Sequence, residues 1–344
     1  MHRCLQLAAI GGGDTAPNPM VGAVLVVDDK IVGEGYHRRY GEPHAEPNAI
    51  NSVLDKSLLS KATMYVSLEP CSHYGKTPPC ANLIVRCGIP RVVIGTLDPN
   101  PRVSGNGVRI LREAGIEVIV GVLENECNEL NKRFFVFQRE KRPYVLLKWA
   151  QTQDGFIDRI RTSKNEKPLA ISNELTRQLT HKMRAENQAI LVSTNTILLD
   201  NPSLTVRYWS GKNPVRIGLD RQGRIPDDYQ LLNDQQRTII FTESVKTAKE
   251  NLKFEYLKFD ENCLESLLEA LFKNHIHSVL VEGGSKLLQN FLSKGLWDEA
   301  HVEVSDQQIN DGVSAPILHA LPKSVQVIDK HSILKFENSN KRFM

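Results

Sequence analysis

Three side chains with metal-ligand chemistry stand close together in the first quarter of the chain. They are His44 in His44-Ala45-Glu46, Cys71 in Glu69-Pro70-Cys71, and Cys80. One imidazole and two thiolates make a three-ligand zinc set, and zinc sites that stop at three protein ligands keep the fourth position for water and are catalytic. Glu46 follows His44 by two positions, near enough to trade protons with that water. Bound zinc lowers the pKa of water from about 15.7 to about 7, and a nearby carboxylate can pass its proton to a leaving amine. The chemistry implied is hydrolytic release of ammonia. Taken singly, His44 is as well explained as a polar residue at a helix start, and each cysteine as a small buried hydrophobe. It is their order and their places at element ends that point to a metal. Cys80, opening a helix, is expected to be a stabilised thiolate, because unpaired N–H groups favour negative charge there.

These residues need elements to hold them, and the pattern up to about residue 122 is α/β. Strands are expected at 21–27 and 31–35 around an Asp28-Asp29-Lys30 turn, then at 63–68, 91–95 and 117–120. Helices are expected at 49–54, 80–87 (stopped by Gly88) and 107–113. The charged run 138–143 breaks the pattern, so a boundary is placed there, giving domains 1–140 and 141–344. The second half is again α/β. Its strands are expected near 144–149, 188–192, 214–220, 237–241, 277–282 and 298–304, with helices near 172–185, 263–273 and 284–294. No repeat or low-complexity tract is visible.

The bulk properties agree with a two-domain globular enzyme. The chain has 344 residues, 41% hydrophobic and 24% charged, enough for two cores. Forty-three Lys and Arg against 40 Asp and Glu are mixed along the chain, with no basic stripe interleaved with aromatics, so no nucleic acid or membrane partner is expected. No secretory signal or membrane span is read, and six scattered cysteines do not make a disulfide framework, so a cytoplasmic protein is expected, with a homo-oligomer left open.

His-x-Glu followed by Pro-Cys and a second Cys is the signature of zinc nucleobase deaminases, but here eight residues separate the cysteines where that signature has two. The whole run 68–80, with Pro17-Asn18-Pro19-Met20-Val21-Gly22-Ala23-Val24 and Asp98-Pro99-Asn100-Pro101, resembles the deaminase half of the bifunctional riboflavin-biosynthesis deaminase/reductase family. Lys148 to Gly155, Ile171-Ser172, Arg184-Ala185-Glu186, residues 200–207 and Val281 to Ser285 resemble the reductase half. The resemblance implies a cytidine-deaminase-like α/β/α domain followed by a dihydrofolate-reductase-like α/β domain. It implies zinc and NADPH as cofactors and a small-molecule phosphoribosylaminopyrimidine as substrate. It carries a catalytic role to Glu46, zinc ligation to His44, Cys71 and Cys80, and substrate contacts to Asn18, His73, Lys76, Lys148, Arg184, Leu204, Arg207 and Glu282. Cofactor contacts fall on Ala150, Ala170, Thr196, Asp200, Arg221, Gly284, Ser285, Lys286, Leu287, Leu288, Gln289 and Asn290.

The residue types suit those roles. Arg184 and Arg207 could grip a phosphate in bidentate fashion, and Gly283-Gly284 before a helix would let backbone N–H groups approach a phosphate. Two glycines alone are equally a plain strand-to-helix turn, and no Gly-x-Gly-x-x-Gly fingerprint opens this half. One departure stands out: Ala170 occupies a position where the family has a tryptophan, after a long polar segment 159–168. It leaves open a reading in which the second half is a non-catalytic scaffold. A nucleic-acid deaminase with an appended binding domain is the other alternative, opposed by the charge pattern and the cysteine gap.

Overall fold

The structure, a computed structural model, describes residues 1–72, 79–100 and 104–338. The chain forms two compact units, Met1–Lys141 and Arg142–Met344.

In the first unit α1 (His2–Ile10) precedes a hairpin of β1 (Gly22–Val27) and β2 (Lys30–Tyr36). There follow α2 (Ala45–Ser52), β3 (Thr63–Leu68), α3 (Cys80–Arg86), β4 (Arg91–Thr96), α4 (Asn106–Glu113), β5 (Glu117–Val120), α5 (Glu124–Leu130) and α6 (Lys132–Glu140). The sheet order is β2-β1-β3-β4-β5, antiparallel across β1 and parallel from β3 to β5. Side chains alternate between sheet faces. Ala23, Leu25, Met64 and Val66 therefore enter a core with Ala49, Ile84 and Leu111 from the helices on one face. Val24 and Tyr65 meet Cys4 and Leu7 of α1 on the other. Helices thus cover both faces.

In the second unit β6 (Tyr144–Gln151) leads through β7 (Phe156–Asp158), α7 (Glu174–Glu186), β8 (Ala189–Val192) and α8 (Thr194–Asp200) to β9 (Val215–Leu219), β10 (Thr238–Thr242) and β11 (Leu252–Tyr256). Then come α9 (Cys263–Lys273), β12 (Ser278–Val281), α10 (Ser285–Ser293), β13 (Glu299–Val304), β14 (Val313–Ser314), β15 (Ser324–Ile328) and β16 (His331–Glu337). One sheet runs β11-β10-β9-β8-β12-β6-β13-β16-β15, parallel as far as β13 and antiparallel at its β16 and β15 edge. Its central strands are apolar on both sides, as buried parallel strands must be. Val145, Leu147, Val279 and Val281 pack under α9 and α10. Leu146, Ile190, Ile240 and Leu280 pack on the opposite face.

Two expectations shift. The helix expected at 49–54 begins at Ala45, with His44 in extended conformation at its N-terminus, so Pro47 falls in the first turn, where its missing N–H costs nothing. The charged run 138–143, expected to break the pattern, stays helical as far as Glu140 at the end of α6, which buries Phe135, Val136 and Phe137, and the two units part within the run, between Lys141 and Arg142. Lys141 then turns the chain in the left-handed region. No helix among the described residues is long and apolar enough to cross a membrane.

Candidate functional site

The first site forms where α2, the end of β3 and α3 meet. His44 precedes α2, Cys71 lies three residues beyond β3, and Cys80 opens α3. Their ligand atoms all lie within 4.8 Å of one another. His44 Nδ1 is 3.6 Å from Cys71 Sγ and 3.4 Å from Cys80 Sγ. Zinc–sulfur and zinc–nitrogen bonds of about 2.3 and 2.0–2.1 Å at tetrahedral angles would separate nitrogen and sulfur by about 3.6 Å. The two nitrogen–sulfur separations therefore match two edges of a zinc tetrahedron, and the donor set fits that ion. Glu46, in the first turn of α2, is 3% exposed. Burial, then the neighbouring Cys71, pushes its carboxyl up to about 7, a value suited to exchanging protons near neutrality.

The expected helix-start thiolate is placed differently. The Cys80 backbone N–H points at Cys71 Sγ, 3.3 Å away. Hydrogen bonding from the Cys80 thiol, with this N–H and His44, holds Cys71 down to about 4. Cys80, donating to Cys71 and buried beside Glu46, is pushed up instead. The helix N-terminus stabilises the other cysteine's charge, and metal binding removes both protons.

Two further groups support this site. Glu69 is 4% exposed, and its carboxylate collects N–H groups from Asp98 after β4 (3.2 Å) and from Gly105 (3.0 Å), Gly107 (2.9 Å) and Val108 (3.2 Å) at the start of α4. A carboxylate there is favoured by the helix dipole, and it fixes the backbone that carries Cys71. His37, also buried, donates from Nδ1 to Pro43 O (3.1 Å) and accepts at Nε2 from Asn18 Nδ2 (3.1 Å). Its ring stands edge-on to His44, 5.3 Å between centroids. His37 therefore ties the Asn18 loop to the residue before His44. His73 and Lys76 lie outside the described residues.

Gly107 couples α4 to this loop by close approach, because a Cβ added there would lie 2.1 Å from Pro70 O. Gly107→Ala is expected to displace Pro70 and Cys71 and to lower deamination by about 10²-fold, the cost of a misplacement near 1 Å. NADPH oxidation by the same variant serves as the control. Deamination at the parent rate would show that the contact carries no strain to the site.

The second site is a cavity of about 770 Å³ within the second unit. Lys148 and Ala150 of β6 line it, with Arg184 of α7 and Thr196 and Asp200 of α8. The loops contribute Ala170, Arg207, Glu282 and Gly284, and the first turn of α10 contributes Ser285, Lys286, Leu287 and Leu288. A Cβ at Gly284 (φ +74°) would sit 2.5 Å from Ser193 Oγ, and one at Gly283 would sit 3.0 Å from Thr196 Oγ1. Only glycine lets the start of α10 come this close to the start of α8. The exposed N–H groups of a helix start make a cradle suited to a phosphate, so these residues fit the diphosphate of a nicotinamide dinucleotide.

Four residues assigned by resemblance lie elsewhere. Leu204 (φ +54°) is buried in the core with Ile197 and Tyr229. Arg221 turns to Glu243, Nε to Oε2 2.8 Å. Gln289 Oε1 accepts from Ile317 N–H at 2.8 Å. Gln289 and Asn290 lie one turn further along α10 and do not line the cavity.

The charges in the cavity are largely paired with one another. Arg184 grips Glu282 through two hydrogen bonds, Nε–Oε1 2.8 Å and Nη2–Oε2 2.6 Å. It also donates to Thr205 O (3.2 Å), so its guanidinium is committed to the wall and not open for a bidentate grip on phosphate. Burial alone would raise the Glu282 carboxyl, but the Arg184 charge and hydrogen bonds, with Lys148, hold it below the ordinary carboxylate range. Arg161, from the polar segment 159–168, bridges Asp158 and Asp200 at 2.6 Å each. His181 accepts the Arg207 N–H at Nδ1 (2.9 Å). Burial, with Arg184 and Arg207 nearby, pushes it down to about 4, so it is neutral and carries its proton on Nε2. Local sequence carries no mark of Arg161 or His181 as wall residues.

Comparison with known proteins finds relatives for both units. Residues 1–96 match the family model of the cytidine and deoxycytidylate deaminase zinc-binding region, and residues 143–305 match that of the RibD C-terminal domain. The chain is 43% identical over 319 residues to the riboflavin biosynthesis protein RibD of Aquifex aeolicus, covering 91% of this chain and 88% of that protein. It is 36% identical over 347 residues to RibD of Escherichia coli K12, covering 96% and 92%. A diaminohydroxyphosphoribosylaminopyrimidine deaminase/5-amino-6-(5-phosphoribosylamino)uracil reductase of Thermotoga maritima superposes with a TM-score of 0.86 at 40% identity, over 98% of this chain and 97% of that one. With a metal-ligand triad in one unit, a phosphate-ready cavity in the other and likeness running through both, the chain belongs to the RibD family of riboflavin-biosynthesis proteins.

Proposed function

We propose that residues 1–140 carry out the deamination and residues 141–344 the reduction. As a RibD protein the chain is a bifunctional riboflavin-biosynthesis enzyme, a zinc-dependent deaminase and an NADPH-dependent reductase. The observation that carries the residue assignment is the convergence of His44, Cys71 and Cys80 beside buried Glu46.

In the first reaction the substrate is a diaminohydroxyphosphoribosylaminopyrimidine, as named for the Thermotoga maritima protein. His44, Cys71 and Cys80 would hold the zinc, which when bound would supply an acidified water for attack on the amine-bearing carbon. Glu46 takes the water's proton and returns it to the departing amine. Asn18, held by His37, orients the pyrimidine. His73 and Lys76 are assigned to the substrate by the family resemblance.

In the second reaction NADPH, when bound, supplies the hydride that opens the ribosyl ring at its anomeric carbon. The first turn of α10 would hold the cofactor's diphosphate through its N–H groups, with Thr196 and the Arg161-braced Asp200 lining the same cavity. Lys148 and Glu282 face the substrate's ribosyl hydroxyls, and Arg207 supplies charge for the substrate phosphate. Ala170 lines this cavity without the ring area a tryptophan would bring, so the nicotinamide side of the pocket is wider here than a tryptophan would leave it. A cytoplasmic setting belongs to the same proposal, supported by six cysteines that form no disulfide among the described residues.

Metal analysis tests the first unit: one zinc per chain is expected in the parent and little in Cys80→Ala. Zinc retained in full by that variant would remove the ligand set. NADPH oxidation on the deaminated intermediate tests the second, and zero turnover with intact deamination would leave it a scaffold.

A further inference from the structure

Lys148 shares its part of the cavity with a buried acid that comes from another strand. β13 runs beside β6 in a register that pairs His301 with Lys148 and Glu303 with Ala150. Residues two apart on a strand share a face, so Glu303 projects beside Lys148 one pleat further on. Glu303 is 2% exposed. Its Oε2 accepts from Ser172 Oγ at 2.7 Å and lies 3.8 Å from Lys148 Nζ. Its Oε1 accepts from His331 Nδ1 at 2.8 Å. Lys148 and Ser172 both line the cavity. His331, also buried, opens β16, beyond the residues 143–305 that match the family's reductase model.

We propose that Glu303 and His331 are positioning residues for the reductase, with His331 clamping Glu303 so that Glu303 holds Lys148 and Ser172 in a fixed donor–acceptor pair aimed at a substrate hydroxyl. This rests on the reading that reduction occurs in this cavity with Lys148 at the substrate. A lysine ammonium on its four-carbon stem has no geometry of its own. A buried carboxylate nearby draws it to one place, and at 3.8 Å the pairing is loose enough to leave its N–H groups free for a ligand. Ser172 spends its only proton on Glu303, so toward the cavity its oxygen can only accept. A donor and an acceptor sharing one carboxylate oxygen match a hydroxyl, which both accepts and donates. The imidazole behind Glu303 keeps that carboxylate from turning away. By this route β16, the last strand among the described residues, becomes part of the reductase machinery.

The test uses the full chain and three readouts: kcat for NADPH oxidation on the deaminated intermediate, the KM for NADPH, and the tryptophan-fluorescence melting curve. Glu303→Gln keeps the shape and one acceptor but removes the charge. It is expected to lower kcat by about 10²-fold, with the KM for NADPH and the melting curve at parent values. His331→Phe is expected to lower kcat less, and His331→Asn, which keeps a donor at the Nδ1 position, to restore it. Parent kcat in both Glu303→Gln and His331→Phe overturns the proposal, as does a kcat loss that only tracks lost melting temperature or NADPH affinity. Lys148→Met separates the two levels: full reduction by that variant defeats the underlying reading, whereas its inactivity beside active Glu303→Gln and His331→Phe defeats the positioning role alone.

Discussion

Glu46→Gln is expected to lower deamination by about 10²–10⁴-fold, the range supplied by a positioned acid–base group, while zinc stays at one per chain. The carboxyl is buried in the first turn of α2, two positions from His44, and glutamine fills the same volume without a proton to exchange. The ligand atoms of His44, Cys71 and Cys80 are unaffected by this change, so metal content and activity should part company. In Cys80→Ala they should fall together. Zinc content by elemental analysis and ammonia release, measured on both variants, decide the matter. A Glu46→Gln protein that deaminates within tenfold of the parent would take the proton-transfer role from this residue.

The second large effect is expected from breaking the Arg184–Glu282 pair. Both side chains are nearly out of solvent, 13% and 10% exposed. Removing one partner of a buried pair leaves an uncompensated charge and costs about 3–5 kcal/mol. Arg184→Ala or Glu282→Ala should therefore destabilise the second unit as well as stop reduction. All three tryptophans, Trp149, Trp209 and Trp297, belong to that unit, so their fluorescence reports its unfolding selectively. Replacing both partners, as Arg184→Met with Glu282→Leu, should recover much of the stability without recovering activity. Because the folded-state pKa of Glu282 is depressed, its contribution is present above the unfolded value near about 4.3 and is lost as pH falls through the lower folded value. A melting curve for Glu282→Ala that overlays the parent at neutral pH would show the pair to be energetically silent.

What could be read from sequence divides along physical lines. The strand expected at 63–68 and that expected at 117–120 are found with those bounds, since each is a short apolar-rich run between turn residues. The four-residue run Ala189–Val192, buried throughout, announces a central parallel strand. The convergence of His44, Cys71 and Cys80 is legible because the three cluster at element ends in one stretch. By contrast β15 has four of its five residues exposed and is defined only by pairing with β16, so no burial pattern marks it. α8 spans seven residues, too short for a helical period to emerge. Arg161 sits in a segment that reads as polar insertion, and only the fold brings Asp200 to it. Arg184 and Glu282 were each singled out as substrate contacts, but their mutual grip spans 98 residues and leaves no local trace. Glu303 and His331 escaped for the same reason, as strand register alone makes them neighbours.

The two centres also differ in how much chain each needs before it can exist. His44 and Cys80 are 36 residues apart, so the zinc ligands can meet while most of the polypeptide is still unmade. Ser172 and Glu303 are separated by 131 residues, and His331 emerges later still. Closing loops of that span is the slow, entropy-limited part of folding, and domains generally form in the order they leave the ribosome. A nascent chain halted before β16 would then be able to acquire its metal while its hydride-transfer pocket still lacked a wall.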